Sequence, residues 1–503
     1  MITKLYGNVV KSIGLAVSIL ILLGALQSKI LDWSGFSGLF IMALALVVLA
    51  LSLLVLFFNE KLRKVWAWGL ARINVLFWIL LTGVAIVQIV VFVHIGAIQM
   101  NDAWILQMGV KDPSTIEWYL SRYPNNQLLF FLEYGISKVS NDFGSVMQII
   151  NLIVVDLSVV LVMLLGRILT NNREVGYFSG IFSIFFLGIQ PVFLLVYTDT
   201  LSLLPMLAGN ILILLAIKSK HIGKIIVLSI LGGVLSGLAY EFRPSTAIFA
   251  IALGVIAIVS VKKSNYKAYL LSFLGTIAGA MVIVTLITGL ESRQSLVKIN
   301  HNEAFPMSSW ILVGSSGNEQ NPDGWHGAFN SKDVLYTAKV VTKENATELI
   351  FSRLINRFKD KGLSAMLKLY FLKFRDTTDT GVVGFHRDGL WLNGTFSKEK
   401  FKLLIQNVFN DNGAYRKYFN FFLQLLYIPM VLLLIRSIAI GRYDNPSFLF
   451  VLTTFLGGGL FLMVFESGGT KYLIQYLPYW SVLMAMGLVR KSEKALDTNT
   501  KSM

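Results

Sequence analysis

Runs of about 18 to 25 apolar residues, each long enough to cross roughly 30 Å of hydrocarbon as a helix, recur along both ends of this chain. Inside a bilayer each backbone amide must be paired within its own segment, so such runs can only be helices. About twelve can be counted. Of the 503 residues, 55% are hydrophobic and 14% charged, and the mean hydropathy of +0.67 lies far from that of a soluble globular chain. The fold class is therefore an all-α polytopic membrane protein. A formal charge of +16 would suggest nucleic acid in a soluble chain, but here the basic residues serve first as topology signals. With no cysteine present, neither a disulfide nor a thiolate metal site can form.

Lys and Arg collect at alternate span ends: Lys61, Arg63, Lys64 and Arg72; Arg167 and Arg173; Lys218, Lys220 and Lys224; Lys262, Lys263 and Lys267; Arg436 and Arg442; Arg490, Lys491 and Lys494. Short cytoplasmic loops are enriched in these residues, so all are placed inside. Met1 to Ser28, with Lys4 and Lys11 before its apolar stretch, is expected to be a retained first span, since no clear small-residue cleavage site follows. The expected organisation is two N-terminal spans with a basic cytoplasmic loop (1–73), a transmembrane core (74–290) with a first outer loop (99–145), an extracytoplasmic soluble domain (291–418), C-terminal spans (419–490) and a cytoplasmic tail (491–503). Ile225 to Ala239 and Thr246 to Val261 are short on either side of Arg243, and a re-entrant pair is the alternative there. The first outer loop holds an amphipathic stretch, Gln127 to Val139, expected to lie in the interface as a helix. The later domain has the turn Asn321-Pro322-Asp323-Gly324 and a helical stretch from Ala346 to Phe374.

Acidic residues at outer span ends carry the chemistry. Asp102 follows an apolar run directly, in Gln99-Met100-Asn101-Asp102-Ala103-Trp104. Partial desolvation raises the pKa of a carboxylate in such a place and suits it to take a proton from a hydroxyl. Being simply the first hydrophilic residue after a span is the plain alternative. In the same loop stands Tyr123-Pro124-Asn125-Asn126-Gln127, whose amides can bind a ligand or cap the helix that starts there. Tyr197-Thr198-Asp199-Thr200 ends the next outward span, with an N-cap as its alternative. Asp156 falls inside an apolar span, where a hydrogen bond to a neighbouring helix, for instance to Asn210, is expected.

This order of elements, followed by a late outer domain, resembles the GT-C superfamily of integral membrane glycosyltransferases, in particular the branch of protein O-mannosyltransferases and the lipid A aminoarabinose transferase in its Gram-positive versions. The likeness runs from about Val75 to Leu488 in order and topology, through short motifs only. It implies a GT-C-like bundle with an extracytoplasmic α(+β) cap. It also implies a sugar taken from a polyprenyl-phosphate donor and given to an acceptor hydroxyl of a cell-wall polymer, lipid or protein, in the plasma membrane. The matching position for the family's base is Asp102. Such an enzyme must also stabilise the leaving lipid phosphate. Arg243, in Tyr240-Glu241-Phe242-Arg243-Pro244, and Lys471, in Glu466-Ser467-Gly468-Gly469-Thr470-Lys471-Tyr472, are the expected phosphate ligands. An ion pair of Arg243 with Glu241 or another outer carboxylate is the alternative, and Glu466 is expected to pair with Lys471 or orient a sugar.

Trp310 or Trp325 could stack on a sugar face. His301, His326 and His386 show no ligand spacing, so no metal and no other cofactor is expected, a divalent cation being possible but not indicated. Gly233-x-x-x-Gly237 and Gly275-x-x-x-Gly279 are close-packing motifs. Phosphate-binding, zinc-hydrolase and serine-hydrolase motifs are absent from the sequence. A lipid-linked polysaccharide ligase or polymerase, using outer Arg and His, is one alternative. A lipid-linked sugar flippase is the other, though it would favour charges near the bilayer midplane and paired halves.

Overall fold

The computed structural model describes residues 2–32, 69–260, 266–317, 326–383, 389–392, 396–443, 445–466 and 468–489, with positions 44, 47, 48 and 51. Among them, eight helices are long and apolar enough to cross a membrane: Lys4–Leu31, Ile73–Ile95, Phe143–Thr170, Thr198–Lys218, Ile222–Phe242, Tyr266–Glu291, Arg416–Ile440 and Pro446–Phe465. Pro244–Val259 and Leu477–Leu488 are shorter apolar helices, and Arg173–Ser183 continues into a π-helical turn, Ile184–Gly188. The chain is thus an all-α polytopic membrane protein. Most of the expected second span, the basic residues Lys61, Arg63, Lys64, Lys262 and Lys263, the Asn321 to Gly324 turn, Trp325, His386 and the tail from Arg490 lie outside the described residues.

The segment before Arg243 is not short: the helix runs Ile222–Phe242. Pro244, which has no N–H to offer the preceding turn, then opens a new helix. The small-residue motifs behave as close-packing surfaces. A Cβ on Gly279 would stand 2.1 Å from the Ile230 carbonyl, and one on Gly233 2.3 Å from that of Thr276. Ile222–Phe242 and Tyr266–Glu291 therefore touch backbone to backbone.

Irregular chain inside the bundle is splinted by amide side chains. From Ile189 to Tyr197 the backbone leaves α-helical geometry, passing through a single 3-10 turn at Pro191–Leu194, and its carbonyls need donors. Asn151 donates to Phe193 O (2.8 Å) and Leu195 O (2.7 Å), and Gln148 to Leu194 O (3.2 Å). Gln99 donates to Leu194 O and accepts from Val196 N. Gln190 joins this segment to Gly381 O and Val383 N. Gln88 donates to Asp156 Oδ1 at 3.0 Å, so the partner of Asp156 is Gln88 and not Asn210, which donates instead to the Tyr479 hydroxyl.

Gly96, at φ +58, closes Ile73–Ile95 in left-handed conformation. The chain then forms the strand Ala97–Gln99, paired antiparallel with Gly389–Leu392, and enters the helix Asn101–Lys111. Between residues 291 and 418 a small apolar cluster forms around Leu312, Val340, Ile350 and Leu354. Beside it the carboxylate of Asp333 accepts two 2.7 Å bonds from Arg357. The helix Ala346–Thr378, longer than the sequence suggested, breaks at Gly362 (φ 75, ψ 160). Its later half ends in the bundle, where Lys373 Nζ donates to Gly314 O (3.0 Å) and Met463 O (2.8 Å).

Candidate functional site

Asp102 stands in the first turn of Asn101–Lys111. The preceding residue, Asn101, has φ +50, a value Asn tolerates better than most residues. Asp102 is half-buried and its Oδ2 accepts from the Tyr197 hydroxyl at 3.3 Å. Burial, reinforced by the charge of Asp102, raises the Tyr197 pKa, so the phenol stays a donor. Burial likewise raises Tyr119, with Tyr197 and Asp102 adding to it, and takes Tyr123 up to about 12, Asp102 again contributing.

The Tyr-Pro-Asn-Asn element lies beside this carboxylate. Tyr123 packs on Tyr119 (ring centroids 4.7 Å), Phe305 (5.4 Å) and Trp310 (5.8 Å), which joins the first loop to the 291–418 segment. Asn126 does not cap the following helix through its side chain; its Nδ2 donates to the Tyr119 hydroxyl at 2.9 Å. The amide is oriented by the internal phenol, and its Oδ1, the atom a cap would use, is buried and accepts no hydrogen bond. Asn125 is half-buried.

Arg243 occupies the next position, its Nε 3.3 Å from Asp199 Oδ1 and its Nη2 3.0 Å from Glu466 Oε1. Gln475 Nε2 donates to Asp199 Oδ1 at 3.2 Å, while Oδ2, although buried, accepts no hydrogen bond. Burial pulls the Arg243 pKa down, but Asp199 and Glu466 outweigh it and the guanidinium holds its proton more tightly than a free arginine. Burial pushes Glu466 up, against the pull of Arg243. The partner of Glu466 is thus Arg243, with Lys471 acting on it through charge. Arg243 pairs with Asp199 and Glu466 rather than with Glu241, because the former two sit at the starts and ends of packed spans that converge on it.

Lys471 Nζ lies 5.1 Å from the Tyr472 ring centre and 6.0 Å from that of Tyr197. Its loop needs glycine: Gly469 has φ 142, and a Cβ on Gly468 would stand 2.2 Å from the His326 carbonyl. Thr470 Oγ1 donates to Val382 O, and Gly469 N to Thr377 Oγ1. The charges of Asp102, Arg243, Lys471 and Asp199 all act on Tyr197, so the expected residues from span ends far apart in sequence share one neighbourhood. His326 is near too, its Nδ1 2.8 Å from Asp376 Oδ2, which also accepts from the His326 backbone N–H. Among the described residues no group of three or more His, Cys, Asp or Glu could hold a metal ion.

Sequence reasoning missed Tyr119, Gln475, Asp376 and Lys373. A lysine within a helix that carries apolar neighbours was the available signal for the last. Burial drives Lys373 from 10.5 down to about 7, Glu466 opposing. Between those two values the unfolded chain binds a proton that the folded chain has released, so stability should rise with pH there, by up to about 1.4 kcal/mol per unit. Below pH 7 both states are protonated and the contribution is flat. Thermal unfolding of the purified protein from pH 7 to pH 9, compared with Lys373→Met, checks this: the variant should lose the slope.

No curated protein matches the chain. Among solved structures it is similar to the archaeal oligosaccharyltransferase AglB from Archaeoglobus fulgidus, in complex with an inhibitory peptide and a dolichol-phosphate. The identity is 13% and the TM-score 0.41, over 81% of this chain and 50% of that one. The chain thus spans about half the length of that protein. A family model matches residues 6–492, and the chain belongs to that family, described as conserved hypothetical integral membrane protein.

Proposed function

We propose that this member of the conserved hypothetical integral membrane protein family is a GT-C-type glycosyltransferase that moves a sugar from a polyprenyl-phosphate donor to an acceptor hydroxyl. The observation that carries the reading is the neighbourhood of Tyr197, whose hydroxyl donates to the half-buried carboxylate of Asp102 and whose ring centre lies 6.0 Å from Lys471 Nζ, with the charge of Arg243 also acting on it. Asp102 takes the proton as the acceptor oxygen attacks the anomeric carbon. The carbon–oxygen bond to the phosphate breaks, and the negative charge left on the lipid phosphate is met by Lys471 and by Arg243 once Glu466 gives way. Tyr123, Asn125 and Asn126 shape the acceptor side, while Asp199 and Glu466 hold Arg243 and face the sugar. In this reading about twelve helices form the bundle, both termini are cytoplasmic, residues 291–418 cap the site and the chemistry is extracytoplasmic.

One observation favours a second reading. His326, fixed through Nδ1 by Asp376, presents Nε2 as a base, as a ligase or polymerase of lipid-linked glycans would require. The test is transfer to endogenous acceptor in membranes supplied with a panel of radiolabelled polyprenyl-phosphate sugars. Transfer from one donor is the expected result; transfer from none of them, with a lipid-linked oligosaccharide accepted instead, would replace the first reading with the second.

A further inference from the structure

Among the described residues, the helix Ala346–Thr378 carries an apolar face with no protein against it. On its later half Leu363, Leu367 and Phe371 follow at one-turn spacing and are 71%, 61% and 51% exposed. Before the break at Gly362, Phe351 and Ile355 are exposed as well. Where the halves meet, an open groove of about 390 Å³ is lined by Leu354, Ile355, Phe358, Lys359 and Leu363. Its walls are hydrocarbon apart from Lys359, and a contiguous patch of this kind marks an interaction surface.

Two observations say what covers it. The first is position: Lys373, on the same helix, bonds to Met463 O, two residues from the end of the membrane span Pro446–Phe465. The helix therefore meets the bundle near the end of a membrane span, and the exposed stripe ends at Phe371, beside that contact. The second is charge: Lys359, Lys361 and Lys368 are exposed along the groove and stripe, with Asp360 as the acid among them. Apolar side chains flanked by lysines are the pattern of a helix lying in the interface, where the long stems reach to headgroup phosphates.

We infer that this groove seats an acyl chain of an anionic phospholipid from the adjoining leaflet, with the Lys359 ammonium on the headgroup phosphate. The bound lipid fixes the angle between the two halves of the helix at Gly362, whose φ/ψ of 75 and 160 no helix supports by itself. The inference needs only the membrane-embedded chain and stands whether or not the transferase reading does.

The test uses the full chain in nanodiscs of phosphatidylcholine doped with phosphatidylglycerol that carries a photoactivatable group in its acyl chain, with cross-linked peptides mapped by mass spectrometry. Labelling within 354–363 is expected, competed by unlabelled phosphatidylglycerol and reduced about fivefold by Lys359→Gln, the worth of one interfacial lysine. Because the chain has no cysteine of its own, Leu363→Cys offers a second readout. Its thiol should react with a water-soluble maleimide more slowly in lipid than one placed by Glu344→Cys at an exposed polar position. Cross-links that avoid 354–363, labelling indifferent to Lys359→Gln, or equal reactivity of the two thiols would each overturn the inference.

Discussion

Asp102→Asn should lower sugar transfer by about 10²- to 10⁴-fold, the usual worth of a positioned base, while leaving the fold as it is. The substitution keeps shape and keeps an acceptor for the Tyr197 hydroxyl, 3.3 Å away; only the ability to take a proton is lost. Asp102 is half-buried, so water screens part of the charge that the substitution removes. The check pairs initial rates at saturating donor with the thermal midpoint of the purified variant. A midpoint near that of the parent and a rate lower by two decades or more would place the base at Asp102. An unchanged rate would move that role elsewhere, with His326 the next residue to replace.

Arg243→Gln should act on the fold itself. Its guanidinium lies 3.3 Å from Asp199 and 3.0 Å from Glu466, and Asp199 is 1% exposed. Removing the cation leaves two carboxylates facing each other in a site with little water, and breaking a buried pair in this way costs about 3–5 kcal/mol. Lower yield and an earlier unfolding transition are expected. The informative comparison is the triple variant Arg243→Gln, Asp199→Asn, Glu466→Gln, which removes all three charges. It should recover most of the lost stability, because the penalty comes from unpaired charge rather than from lost volume. A triple variant as unstable as the single one would assign the loss to packing around Tyr472, over whose ring the guanidinium lies.

Long apolar runs made the membrane bundle legible, since hydrocarbon permits such segments one solution. The acidic span ends at Asp102, Asp199 and Glu466 were legible for a related reason: a charge at that depth is costly unless it has a task or a partner. Which partner was not legible. Arg243 and Glu466 are 223 positions apart, and the order in which helices pack, rather than local spacing, brings them into contact. Asn126 fits the rules for a helix cap, yet a buried phenol on Tyr119 claims it. Asp156 meets Gln88 and not Asn210 because Ile73–Ile95 is the span that passes it. The amides at Gln99, Gln148, Asn151 and Gln190 look incidental in sequence, and become intelligible only once the backbone between Ile189 and Tyr197 leaves the helix and needs donors.

The two carboxylates on Arg243 have a kinetic meaning if a lipid phosphate is what arrives there. The seat is already occupied, by groups that imitate the incoming oxygens. Loading is then an exchange and not an addition: Glu466, the more exposed of the two, has to let go before the phosphate can settle. An empty enzyme of this design recruits no stray anion from solution, and the protein acts as its own competitive inhibitor until a ligand arrives that can displace it.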